Sequence, residues 1–139
     1  AILIRRACRV GHSKESVVLN LNSQQPLHRV EKPWGYEVWW ARTDRYVGKH
    51  IHINKGHALS LQYHNKKDET IFVWAGKMLF EREIDGKLVG TEMTPGMSVH
   101  VTPPTVHRMT AIEDTDVFEV STPETDDVVR LEDRYGRKT

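Results

Sequence analysis

Apolar residues recur along this chain in short runs, many alternating with polar ones, and each run is closed by Gly, Pro, Asn or Asp. Side chains on a strand point to opposite faces with a period of two. The pattern therefore predicts strands over residues 35–42, 46–53, 58–64, 69–75, 77–84, 87–93, 98–101, 107–111 and 117–121. Asp85-Gly86, between two of these runs, is a two-residue hairpin signal. Short strands at this spacing, with no amphipathic helical stretch, predict an all-β barrel or double-sheet jelly roll.

The densest chemistry lies between Gly56 and Gly76. Ser60, Gln62 and His64 alternate with Leu59, Leu61 and Tyr63, so Gln62 and His64 share one face while Leu61 and Tyr63 cover the other. Asn65 to Asp68 read as a polar turn, and Ile71 to Trp74 as the returning strand of a hairpin closed by Gly76. Glu69 opens that second strand, within reach of Gln62 and His64. One hairpin then supplies N and O ligands of a kind suited to Zn, Mn, Fe or Co. Further on, Pro95-Gly96 starts a short strand, Pro103-Pro104 breaks it, and His107 opens the next one as a fourth ligand. A single strand histidine is more often a satisfied polar residue than a ligand. The joint spacing of Gln62, His64, Glu69 and His107 is what points to a metal.

Alternation also sorts the remaining histidines. His50, His52 and Asn54 share a face, with Lys49, Ile51 and Ile53 on the other. The histidine row reads either as the rim of a cavity or as an outward polar face, the commoner role for such a row. His57 belongs to a turn and His100 to the strand before His107.

Composition narrows the class. The 139 residues carry 20 Lys and Arg against 19 Asp and Glu, a net charge of +1. Length fits one domain with a single core. Interspersed, balanced charge argues against a nucleic-acid or membrane surface, and no run of apolar residues is long enough to span a bilayer. The start, Ala1 to Arg6, lacks the layout of a signal peptide. Cys8 is the sole cysteine, so no intrachain disulfide forms and a cytoplasmic setting is expected. Residues 1–29, polar and turn-rich from Asn20 to Pro26, read as an N-terminal arm and residues 30–139 as the domain.

These residues resemble the two signature motifs of the cupin superfamily. Gly56, His64, Glu69 and Gly76 fit the first, with Gln62 in place of its first His; Gly96 and His107 fit the second, with Thr102 and Pro104 as departures. Within that superfamily the chain is most similar to type II mannose-6-phosphate isomerases, found alone or as the C-terminal domain of bifunctional mannose-1-phosphate guanylyltransferases. Lys32-Pro33-Trp34-Gly35-Tyr36-Glu37, Leu59-Ser60-Leu61-Gln62-Tyr63-His64 and the closing run from Asp126-Asp127 through Arg130 and Glu132-Asp133 to Tyr135-Gly136-Arg137 carry the likeness. It implies a cupin double-stranded β-helix, a metal at Gln62, His64, Glu69 and His107, and exchange of mannose 6-phosphate with fructose 6-phosphate. Zn is the first expectation for the ion, with Mn, Fe, Co and Ni admitted by the ligand types.

Such a reaction moves a proton between C1 and C2 of an open-chain sugar, with a Lewis acid stabilising the enediolate. Its base lies near the metal without binding it. Glu119, flanked by apolar residues on the last core strand, is the candidate, set against a surface carboxylate on the outward face. A phosphate needs fixed positive charge, and Arg130, Arg137, Lys49 and Arg108 are expected to contact substrate, with Lys32 also at hand. Two other classes stay open: a non-haem Fe(II) oxygenase built on His64, Glu69 and His107, and a non-catalytic sugar-binding or regulatory cupin. Adjacent Trp39 and Trp40 face opposite ways on one strand and, with exposed sheet edges, predict an apolar face covered in a homodimer.

Overall fold

The computed structural model describes residues 28–138. Among them the chain forms strands and no helix: β1 (His28–Lys32), β2 (Gly35–Arg42), β3 (Val47–Ile53), β4 (Leu61–Tyr63), β5 (Glu69–Ala75), β6 (Met78–Ile84), β7 (Lys87–Met93), β8 (Ser98–Val101), β9 (His107–Ala111), β10 (Thr115–Ser121) and β11 (Val129–Glu132). They build a six-stranded sheet in the order β1-β2-β3-β10-β5-β8 and a five-stranded sheet in the order β11-β4-β9-β6-β7. Every pairing is antiparallel. The two sheets enclose the core as a jelly-roll barrel, the all-β architecture expected from alternation.

Alternation accounts for the core directly. Ile51, Ile53, Ile71, Val73, Met78, Phe80, Met109 and Val117 occupy every second position of their strands and are almost fully buried. Each such side chain contributes about 1.5–3 kcal/mol relative to an exposed one. The Asp85-Gly86 turn joins β6 to β7 as expected, with positive φ of 50° and 74°, the backbone a two-residue hairpin with matching twist requires. Gly76 is needed for a different reason. Its φ is +82° and a Cβ there would lie 2.0 Å from the carbonyl oxygen of Asp114.

The predicted hairpin between residues 58–64 and 69–75 does not form. β4 pairs with β9 and β11, whereas β5 pairs with β10 and β8 in the other sheet. Residues 64–68 are thus a corner that carries the chain from one sheet to the other, and the ladder of β4 is only three residues long. β1 and β11 were not expected from the sequence. Both are charged and partly exposed, with no apolar row to mark them. β1 begins inside the stretch read as the arm; the rest of that stretch lies outside the described residues.

His50 and His52 face outward, each bonded to Asp116 Oδ1 at 2.8 Å, with Tyr36 stacked on His52. On the same side of the six-stranded sheet Phe72, Trp74 and Val120 are exposed. Lys49, in the alternate row, points inward and is buried.

Candidate metal centre and cavity

Three ligand-bearing side chains meet inside the barrel. His64 follows β4, His107 opens β9 and Glu69 opens β5, so the set draws on both sheets. Their ligand atoms all lie within 4.8 Å of one another. Glu69 Oε1 is 3.3 Å from His64 Nε2 and 3.0 Å from His107 Nε2. All three are buried.

The hydrogen bonds on the far side of each ring define what converges there. His64 Nδ1 donates to the carbonyl of Asp127, and His107 Nδ1 donates to the carbonyl of Thr105 at 2.9 Å. An imidazole whose single proton sits on Nδ1 presents an Nε2 lone pair, and in both rings Nε2 is the atom turned to the Glu69 carboxylate. Two ring nitrogens and a carboxylate oxygen gathered at these distances suit a cation held between them, and His64 Nε2 is a buried atom with no hydrogen-bond partner. The donor set and its orientation therefore fit a divalent metal ion with N and O ligands.

Next to this set lies a ladder of alternating charge. Lys67 Nζ donates to Glu69 and, at 2.9 Å, to Glu119 Oε1. Lys49 Nζ is 3.8 Å from Glu119 and 3.6 Å from Glu37, and Lys32 Nζ is 3.8 Å from the other Glu37 oxygen. Trp39 Nε1 donates to Glu37 at 3.0 Å, and Lys49 lies over the Trp39 ring. Burial by itself lowers the Lys67 pKa, but Glu119 and Glu69 outweigh it and raise the group above the ordinary lysine value. Burial likewise acts to raise Glu69, yet the close His107 and His64 rings and the Lys67 charge hold it well below the usual carboxylate range.

A cavity of about 410 Å³ opens beside the ladder. It brings together most of the residues expected to act on a substrate: Gln62, His64, Glu119, Lys49, Arg130 and Arg137 all line it. Glu69 and His107 lie behind its wall, touching the lining residues His64 and Lys67. Gln62 Oε1 accepts a hydrogen bond from Ser60 Oγ at 2.6 Å. Arg137 is paired with Asp133, whereas Arg130 donates only to the carbonyl of Lys138 at 3.2 Å among described residues. Arg108 departs from expectation. It neighbours His107 on β9, so the strand turns it to the opposite face, where it binds Glu81 at 2.7 Å and 3.1 Å, outside the cavity lining.

Sequence reasoning passed over Lys67 and Asp127. Lys67 stands in the stretch read as a polar turn; the signal was the pair of carboxylates, Glu69 and Glu119, in otherwise apolar inward rows that call for a buried counter-charge. Asp127 offered no local signal, because its partners are more than fifty positions away.

A family model described as mannose-6-phosphate isomerase C-terminal matches residues 20–133. A mannose-1-phosphate guanylyltransferase of Escherichia coli (strain K12) is 31% identical, over 88% of this chain and 26% of its own length. ManC, a mannose-1-phosphate guanylyltransferase of Salmonella typhimurium, is 30% identical with the same coverage. The chain thus spans about a quarter of the length of these relatives. Among solved structures, the capsular polysaccharide assembling protein CapF of Staphylococcus aureus superposes with a TM-score of 0.65 at 18% identity, over 78% of this chain and 35% of that one. KdgF from Halomonas sp. gives 0.58 at 22% identity, over 76% and 94%. Oxalate decarboxylase from Bacillus subtilis gives 0.67 at 14%, over 78% and 31%. At these identities the likeness is one of fold, and the fold is that of a cupin.

Proposed function

The chain belongs to the mannose-6-phosphate isomerase C-terminal family, and from that premise we propose that it is a metal-dependent isomerase interconverting mannose 6-phosphate and fructose 6-phosphate through an enediol. The observation that carries this reading is the placement of two Nε2 atoms and the Glu69 carboxylate beside a cavity whose wall holds both an acid–base candidate outside the ligand set, Glu119, and cationic side chains. His64, Glu69 and His107 would hold the ion, Zn first among the metals their donor types accept, with Gln62 adjoining on the cavity wall. When bound, the ion supplies Lewis acidity toward the carbonyl and neighbouring hydroxyl oxygens of the open-chain sugar.

The protein's own groups carry the proton. Glu119 takes it from C2 of the aldose and returns it to C1, while a second proton passes from the C2 hydroxyl to O1, which balances the conversion of aldehyde to ketone. Lys67 and Lys49 fix Glu119 in place and offset its charge inside the barrel. Arg130 is the foremost candidate for the phosphate, since Arg137 already holds Asp133. Lys49 and Lys32 add positive charge along the same wall.

Phe72, Trp74 and Val120, exposed on the outer face of the six-stranded sheet, support a homodimer in which a second copy covers them; sedimentation at micromolar concentration would show a single monomeric species were this wrong. The single cysteine supports a cytoplasmic setting.

Proton NMR of the Zn- or Mn-loaded protein with mannose 6-phosphate in heavy water tests the reaction. Fructose 6-phosphate accompanied by deuterium at C2 of the recovered substrate is the expected result. Neither product nor exchange with either metal would overturn it. A second reading draws on the same two-histidine, one-carboxylate set, which also suits a non-haem Fe(II) oxygenase; oxygen uptake under Fe(II) distinguishes it, and saturable sugar binding without turnover would mark a binding module.

A further inference from the structure

The corner between β4 and β5 has no ladder to hold its backbone, since the two strands belong to different sheets. Three of its amide groups, those of Asn65, Lys66 and Lys67, are instead taken up by one residue from the far end of the chain. Asp127 Oδ1 accepts from the amide of Asn65 at 3.0 Å and from the Asn65 side chain at 3.2 Å, while Oδ2 accepts from the amides of Lys66 at 2.6 Å and Lys67 at 2.8 Å. The carbonyl of the same residue accepts the Nδ1 proton of His64. Burial works against the charge of Asp127, but the amides of Lys67, Asn65 and Lys66 hold its carboxyl well below the usual range.

We propose that Asp127 is a positioning residue of the metal centre, fixing the His64 ring and the Asn65–Lys67 backbone together so that His64 Nε2 and Lys67 Nζ both reach Glu69. The inference rests on the reading that His64, Glu69 and His107 bind a divalent ion, but not on what reaction follows. The physical argument has two parts. A ligating imidazole needs an acceptor for its other ring proton to set tautomer and orientation, and loss of such partners typically weakens metal binding by about 10- to 100-fold. The carboxylate holds the backbone that carries that ring, and it also places the Lys67 amide two residues before Glu69. One residue therefore governs the approach of a ligand, through its carbonyl, and of the cation beside Glu69, through its carboxylate. Asp127 also sits two residues before the tail strand β11, which pairs through Arg130 with Gln62, so the segment that carries Arg130 is anchored by the same residue.

The test is metal affinity of the full chain, read from the visible spectrum of bound Co²⁺ and by competition with Zn²⁺, together with the ¹⁵N shifts of His64 in the metal-free protein. Asp127→Ala leaves the carbonyl in the chain but frees it from the Asn65–Lys67 amides that the carboxylate holds against it, and is expected to weaken binding by about 10- to 100-fold and to shift His64 away from a single Nδ1-protonated tautomer. Asp127→Asn, which keeps the size and one acceptor oxygen, is expected to fall at the lower end of that range and serves if the alanine variant does not fold. A variant with lowered thermal stability but unchanged Co²⁺ affinity and tautomer would overturn the proposal by reducing Asp127 to a structural cap. Failure of the unaltered chain to bind Co²⁺ or Zn²⁺ would overturn it as well. Tight metal binding without isomerase turnover would remove the proposed reaction while leaving the role of Asp127 standing, if the variants weaken that binding.

Discussion

Lys67 donates to Glu119 across 2.9 Å, joining the corner beside the metal ligands to the last core strand. The same ammonium reaches Glu69, so one lysine neutralises two carboxylates that are each almost wholly buried. Removing the lysine leaves both without their nearest cation.

Lys67→Met is therefore expected to destabilise the fold by about 3–5 kcal/mol, the usual result of breaking a buried ion pair from one side. Urea denaturation of the metal-free protein measures it. A loss below about 1 kcal/mol would mean that Lys49 or water takes over both carboxylates.

Glu119→Gln keeps the shape of the side chain and an oxygen facing Lys67 but removes the proposed base. Turnover is expected to fall by about 100- to 10,000-fold with deuterium exchange at C2 lost in parallel. Metal affinity stays unchanged, because Glu119 belongs to the cavity wall and not to the ligand set. Exchange persisting at the unaltered rate would move the base elsewhere.

Withdrawal of the ion by a chelator is expected to lower thermal stability. An ion present at about 100 times its dissociation constant adds about 2.7 kcal/mol to the folded state, or roughly 10 °C in Tm for a chain of this size. Calorimetry with and without chelator reads the difference, and the shift vanishes in a His107→Ala variant.

The outer face gives a pH dependence independent of the metal. Partial burial acts to raise the Asp116 pKa, but hydrogen bonds from His52 and His50 outweigh it and leave the group lower in the folded than in the unfolded chain. Its contribution is thus complete above the unfolded value, about 3.9, and disappears as pH falls through the lower folded value. The stability gap between the unaltered chain and Asp116→Asn is expected to close below about pH 4. A gap that widened in acid would reverse the assignment.

How far the sequence reveals this site depends on whether each signal is local. Ile51, Ile53, Ile71 and Val73 declare their strands because each alternates with polar neighbours over a whole element. Lys49 was legible for the same reason, standing in the inward row with Ile51. Arg108 could have been set aside on that argument: once His107 faces the interior, its neighbour on the strand faces out. The supposed hairpin failed because turn-like residues between two apolar runs look alike whether the chain folds back in one sheet or crosses to another. Pairing partners, β9 and β11 for β4, lie far along the chain. Asp127 was invisible on the same grounds, since only the folded chain brings it to Asn65.

The crossing at residues 64–68 gives the centre a mechanical meaning. With His107 on the five-stranded sheet, Glu69 on the six-stranded one and His64 at the head of the crossing between them, a bound ion would act as a rivet through the two walls, and its grip would gauge how far apart they stand. Trimming a side chain wedged between them, such as Met78 or Val117, would register as a change in metal retention without touching the cavity.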